Sequence, residues 1–113
     1  TGITMHEALL TAQKKFGVKV ITPEEMRWAL ENMNITEERI KEMGAEGLMQ
    51  PIKTSCKDHE GGGMIFIQQW DGSKWVNTGD VIAPMKDYVR KMVEESAAGY
   101  AKEKGITPRE CPE

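Results

Sequence analysis

Cys56 and His59 stand three residues apart with Glu60 beside the histidine, a grouping able to ligate zinc or to pair a thiolate with an imidazole. A structural zinc site draws on two ligand clusters, whereas the other cysteine, Cys111, and the other histidine, His6, each stand alone here. No metal and no cofactor are expected. Asp58 and His59, next to Gly61-Gly62-Gly63, are the candidate ligand-binding residues, since a carboxylate and an imidazole beside a flexible backbone can hydrogen-bond a ligand. The triple glycine invites comparison with a phosphate cradle, but a P-loop carries Gly-Lys-Ser or Gly-Lys-Thr and opens a helix. This one leads into an extended run, so it is expected to be a flexible crossing or a place where two backbones approach closely. Glu24, Glu25, Glu37, Glu38, Glu94 and Glu95 fall on solvated helix faces or at helix starts, and no acid–base pair is formed. The chain is expected not to be an enzyme.

The eight methionines mostly occupy helix-stripe positions, which makes them core filling rather than a metal relay or a promiscuous binding surface. Met5, Ala8, Leu9, Ala12 and Phe16 mark a first helix, entered through a capping box at Thr4-Met5-His6-Glu7 and stopped by Gly17. Thr22-Pro23-Glu24-Glu25 opens a second helix with Met26, Leu30 and Met33 as its buried stripe. Thr36 caps a short third helix ended by Gly44, so the first 44 residues are expected to be helical. Residues 48–55 contain Pro51 and form an edge strand or a linker. Residues 64–70 and 73–82 flank Asp71-Gly72 as a hairpin, with apolar residues on both faces and Trp70 and Trp75 packed across the strands. A last helix from about Met85 to Lys104, closed by Gly105 with Pro108, carries the stripe Met85, Tyr88, Val89, Met92, Val93, Ala97, Tyr100 and Ala101, which needs a partner surface.

At 113 residues and 39% hydrophobic content the chain is one modest domain by size. A net charge of −3, with both signs mixed along every segment, gives no basic field for nucleic acid. No apolar run is long enough to span a membrane, and the start lacks the features of a signal peptide. The missing initiator Met suits a processed or excerpted product. Two cysteines fit either one disulfide in an oxidising compartment or two buried thiols. Helices, one hairpin and one long helix leave several amphipathic elements uncovered, which suits a fragment, although a small α+β domain or an oligomer also closes such a core.

One run is more particular: Cys56-Lys57-Asp58-His59-Glu60-Gly61-Gly62-Gly63, followed by Phe66-Ile67-Gln68-Gln69-Trp70-Asp71-Gly72-Ser73-Lys74-Trp75. With Gly44-Ala45-Glu46-Gly47-Leu48-Met49-Gln50-Pro51 before it and Tyr100-Ala101-Lys102-Glu103-Lys104-Gly105-Ile106 near the end, it resembles the carboxy-terminal part of periplasmic solute-binding proteins of the branched-chain amino-acid (Leu/Ile/Val-binding type) ABC-transporter family. The resemblance implies an α/β fold, a partial type I periplasmic-binding-protein fold made of amino-terminal helices, a crossover loop, a β-hairpin and a long carboxy-terminal helix. Residues 1–55 would be the helical segment of one lobe leading into a hinge crossover, and residues 56–113 would pack on the other lobe.

It also implies the substrate-binding component of a transporter, closing about its hinge on a branched-chain amino acid or a related aromatic or small carboxylate. Its partners would be that solute, a membrane permease and the remainder of the parent polypeptide. A periplasmic location then favours a disulfide between Cys56 and Cys111. The alternative is a self-contained α+β interaction module that oligomerises through its carboxy-terminal helix.

Overall fold

Thr22 begins the best-signposted helix, and the computed structural model, which describes residues 2–112, shows why it starts there. The Thr22 hydroxyl accepts from the Glu25 N–H at 3.3 Å while the Glu25 carboxylate accepts from the Thr22 N–H at 3.0 Å, a reciprocal capping box ahead of α2 (Pro23–Glu31). α1 (Gly2–Phe16) is already helical at Gly2, so Thr4 lies inside its first turn and is not the cap that the Thr4-to-Glu7 pattern suggests. Gly17, with φ at +90°, ends α1 as its N–H bonds the Gln13 carbonyl. The two helices pack against each other, with Phe16 edge-on to Trp28 at 5.3 Å.

The first 44 residues are not wholly helical. Between α2 and α3 (Glu37–Glu42), β1 (Asn34–Ile35) pairs antiparallel with β2 (Ile52–Lys53), Ile35 opposite Ile52. Ile35 is the largest fully buried side chain and joins Ala8, Met33, Ile40 and Ala45 in the core, with Ile3, Met26, Met43, Met49 and Ile52 against them. Leu30, expected in the buried stripe of α2, is exposed. Among the described residues the core thus sits wholly within the first half of the chain.

The triple glycine is a place of close approach. A Cβ on Gly61 would lie 2.9 Å from Ile52 Cγ2, one on Gly62 would lie 3.0 Å from the Pro51 carbonyl oxygen, and Gly61 has φ at +71°. This crossing lets residues 61–63 fold back over β2 and run out to a second, separate ladder.

That ladder is a hairpin of β3 (Gln68–Trp70) and β4 (Trp75–Asn77), with an outlying bridge between Ile65 and Ile82. Trp70 faces Trp75 in the register, so the connection is the four residues 71–74 rather than a two-residue Asp-Gly turn. The Asp71 carboxylate accepts from the N–H groups of Ser73 and Lys74 at 2.8 and 2.9 Å, and Gly72 alone in the turn takes a positive φ. Neither face of the hairpin is well covered, as Ile65 and Ile67 on one side and Trp70 on the other are each at least half exposed.

α4 (Lys86–Lys104) ends at Gly105, which has φ at +64° and allows the Ile106 N–H to bond the Ala101 carbonyl at 2.9 Å. None of its residues is buried. The chain accordingly has a radius of gyration of 17.4 Å, against about 13 Å for a compact domain of this length. Mixed helices and two small antiparallel sheets give an α/β-like architecture.

Candidate functional site

Residues 54–61 form the polar junction of the molecule, bounded by the end of α2, the start of α4 and the tail. Ser55 and Asp58 close a tight turn by exchanging backbone hydrogen bonds, and the Ser55 hydroxyl accepts a further one from the Asp58 N–H at 3.1 Å. The turn holds Cys56 at 5.5 Å, Cα to Cα, from Cys111, to which it is joined by a disulfide.

Asp58 points to α4. Its carboxylate pairs with the Lys86 ammonium and accepts from the Glu60 N–H at 3.1 Å, while Lys86 also donates to the Gly61 carbonyl at 2.6 Å. The hydrogen bond from Lys86, above all, holds the Asp58 carboxyl below the ordinary aspartate range, with the Glu60 N–H and the charges of Lys86 and Arg90 adding to it. Arg90, one turn further along α4, donates to the Lys57 carbonyl. Two cations therefore fasten the start of α4 to the crossover loop.

His59 points the other way. Its ring is largely exposed, with Nε2 3.5 Å from a carboxylate oxygen of Glu31. Glu31 is the last residue of α2 and its side chain is only 8% exposed, an unusual place for an acid because the helix dipole is negative there. Its counter-charge is Arg109 of the tail, whose guanidinium donates to the same oxygen. Clefts open on both sides of Glu31. One, of about 390 Å³, is floored by Leu30, Met33 and Ile52 and edged by Arg27, Thr54 and His59. The other, of about 410 Å³, lies between Trp28 and the disulfide.

Asp58 and His59 are thus neighbours in sequence that serve opposite sides of the loop, and they do not converge on one point. Glu31, Arg109, Lys86 and Arg90 carry the junction without having been singled out by spacing. An acid in the last turn of a helix is the local signal by which Glu31 could be found, and Glu42 at the end of α3 shares it. Among the described residues no group of three or more His, Cys, Asp or Glu side chains is arranged to hold a metal ion.

A scan against protein-family models matches none, and a search of curated proteins finds no relative. A solved structure does match: the crystal structure of an ABC transporter permease from the Pseudomonas fluorescens group, at 47% identity and a TM-score of 0.89. The match covers 97% of this chain and 26% of that one, so the chain spans about a quarter of that protein's length. This finding overturns the expected identity as a Leu/Ile/Val-binding-type periplasmic solute-binding protein, and with it the expected role in closing on a branched-chain amino acid or carboxylate. The alternative, an interaction module that oligomerises through its last helix, gains nothing from it. The most particular of the residues behind that resemblance, from Cys56 to Trp75, lie mainly in a surface loop and an exposed hairpin, which mark a shared segment without telling one transporter component from another. What the likeness retains of the expectation is the link to an ABC-transporter protein.

Proposed function

We propose that this chain is a segment of an ABC-transporter protein that lies outside the bilayer and seats its hairpin and α4 on the remainder of a longer polypeptide. The observation that carries this reading is the 47% identity and 0.89 TM-score, held over nearly the whole chain, to a permease about four times its length. No helix among the described residues is long and apolar enough to cross a membrane. α4 has the length, but Lys86, Arg90, Lys91, Glu94 and Glu95 would each be costly in hydrocarbon.

The surface supports the seat. The chain exposes 8900 Å², where a compact monomer of its mass exposes about 6200 Å², and an excess of that order is what an obligate interface covers. As architecture alone, the division into residues 1–55 and 56–113 and a partial type I periplasmic-binding-protein arrangement remain our reading of how such a segment sits in a longer chain. Fold does not imply function, so this arrangement does not restore a receptor role. The disulfide supports an oxidising compartment such as the periplasm.

The test is native purification of the tagged full-length protein in detergent, with a photo-crosslinking amino acid at Val93. An ATP-hydrolysing transporter subunit identified by mass in the purified complex, and a crosslink from Val93 within the same polypeptide, are the expected results. Absence of any such subunit removes the transporter assignment, and a crosslink only to another protein removes the intramolecular seat.

A further inference from the structure

We infer that the tail after α4 is a redox-controlled latch, in which the Cys56–Cys111 disulfide and the Arg109–Glu31 ion pair close and open together, so that reduction bares Glu31 to the clefts on both sides of it.

Arg109 stands two residues before Cys111. Beyond Ile106, whose N–H closes the end of α4 on the Ala101 carbonyl, the ion pair is the one hydrogen-bonded contact of the tail among the described residues. The tail is therefore held to the body at two adjacent points, one covalent and one electrostatic. Cutting the disulfide leaves Arg109 on an irregular segment hung from the end of α4, and its effective concentration at Glu31 falls. The converse follows by linkage, because Arg109 seated on Glu31 keeps the Cys111 thiol beside Cys56 and favours closure.

Glu31 makes the coupling matter. Its side chain is over nine-tenths buried at the unfavourable end of a helix, and with Arg109 gone the groups left around it are the exposed His59, Arg27 and Glu24 of its own helix and Glu60 of the loop. A buried carboxylate that loses its counter-charge draws in water or a cation, which opens the Glu31 site to the two clefts that it lines. The chemistry needs a dithiol reductant. One of its thiolates attacks a protein sulfur to form a mixed disulfide, and its second thiol displaces the protein thiol. Two electrons and two protons thereby pass to Cys56 and Cys111, and the reductant leaves as a disulfide.

The test is the thiol–disulfide equilibrium in graded mixtures of reduced and oxidised dithiothreitol, read as alkylated mass. Arg109→Ala and Glu31→Gln are each expected to shift it toward the thiols by about three- to tenfold, and the double variant no further than the larger single one. Arg109→Lys should keep part of the wild-type position, and Arg39→Ala, remote from the tail, should leave it unmoved. Should Glu31→Gln fail to fold by far-UV circular dichroism, the Arg109 pair still decides, since that side chain is nearly half exposed. Arg109→Ala at the wild-type equilibrium, or additive shifts in the double variant, overturns the latch. Tryptic cleavage after Arg109 that is no faster in the reduced wild-type protein than in the oxidised one does so as well.

Discussion

Arg109 reaches back 78 residues to lay its guanidinium on the carboxylate of Glu31, tying the end of the chain to the end of its second helix. Because Glu31 is buried and Arg109 is not, removing the two partners has unequal consequences. Arg109→Ala leaves a buried carboxylate uncompensated and is expected to lower stability by about 1–2 kcal/mol, discounted for the exposure of the guanidinium. Adding Glu31→Gln should recover part of that loss. Urea denaturation of the two variants and the wild type checks it, and a double variant weaker than Arg109→Ala alone contradicts it.

The disulfide closes a loop whose ends are 55 residues apart and which contains the hairpin and α4, the parts with no core of their own. In a chain-entropy account it contributes about 4 kcal/mol, less whatever structure persists in the reduced unfolded chain. Cys56→Ser with Cys111→Ser should therefore lower stability by about 2–4 kcal/mol. The loss should appear first as faster hydrogen exchange in residues 86–105, with α1 and α2 still protected.

At the other end of α4 the fastening is ionic. Lys86 bridges the Asp58 carboxylate and the Gly61 carbonyl, so Lys86→Met is expected to loosen residues 57–61 and the first turn of α4 together while the core stays protected. Asp58→Asn keeps the shape but not the charge and should loosen the same residues less. Exchange confined to only one of the two segments in Lys86→Met would show that the lysine does not couple them.

Between α1 and α3 the Glu7 carboxylate receives two hydrogen bonds from the Arg39 guanidinium, at 2.8 and 3.0 Å. Those bonds, ahead of every other influence, hold the Glu7 carboxyl below its ordinary value. A carboxyl with a lowered folded-state value binds protons more readily when unfolded. Its stabilisation is thus fully present above the ordinary glutamate range and disappears as the pH falls through the lowered value. Acid titration of stability should show this loss in the wild type, and Arg39→Met should be less stable at neutral pH with a shallower acid limb. An identical acid limb in both proteins contradicts the assignment.

Elements with local punctuation are legible in the sequence: Thr22 and Thr36 as caps, Gly17, Gly44 and Gly105 as stops, and the apolar stripe of α4. β1 is not, because two residues between two helices have no period and become a strand only by pairing with β2, some eighteen positions on. The start of α1 departs from the pattern because Thr4 satisfies the cap motif within a helix already formed. The junction around Glu31 was hidden for the same reason as β1, as its partners come from three distant parts of the chain. The receptor reading rested on surface motifs that outline a segment, and the permease match replaced it.

Gly99 and Gly61 give glycine substitutions of opposite sign. A Cβ on Gly61 would meet Ile52 at 2.9 Å in a backbone conformation that disfavours side chains, so Gly61→Ala should destabilise the protein by at least about 1 kcal/mol. Gly99 lies mid-helix in α4 with nothing within 4 Å of an added Cβ, and Gly99→Ala should stabilise this chain by about 0.5–1 kcal/mol. Yet Gly99 is seven residues beyond Met92, on the apolar side of the helix. If that side is seated on the rest of a longer polypeptide, the same methyl meets a neighbour, and the gain seen in the isolated chain should shrink or reverse there. Thermal melting of Gly99→Ala in both lengths of protein reads this directly, and an equal gain in both places Gly99 away from the seat.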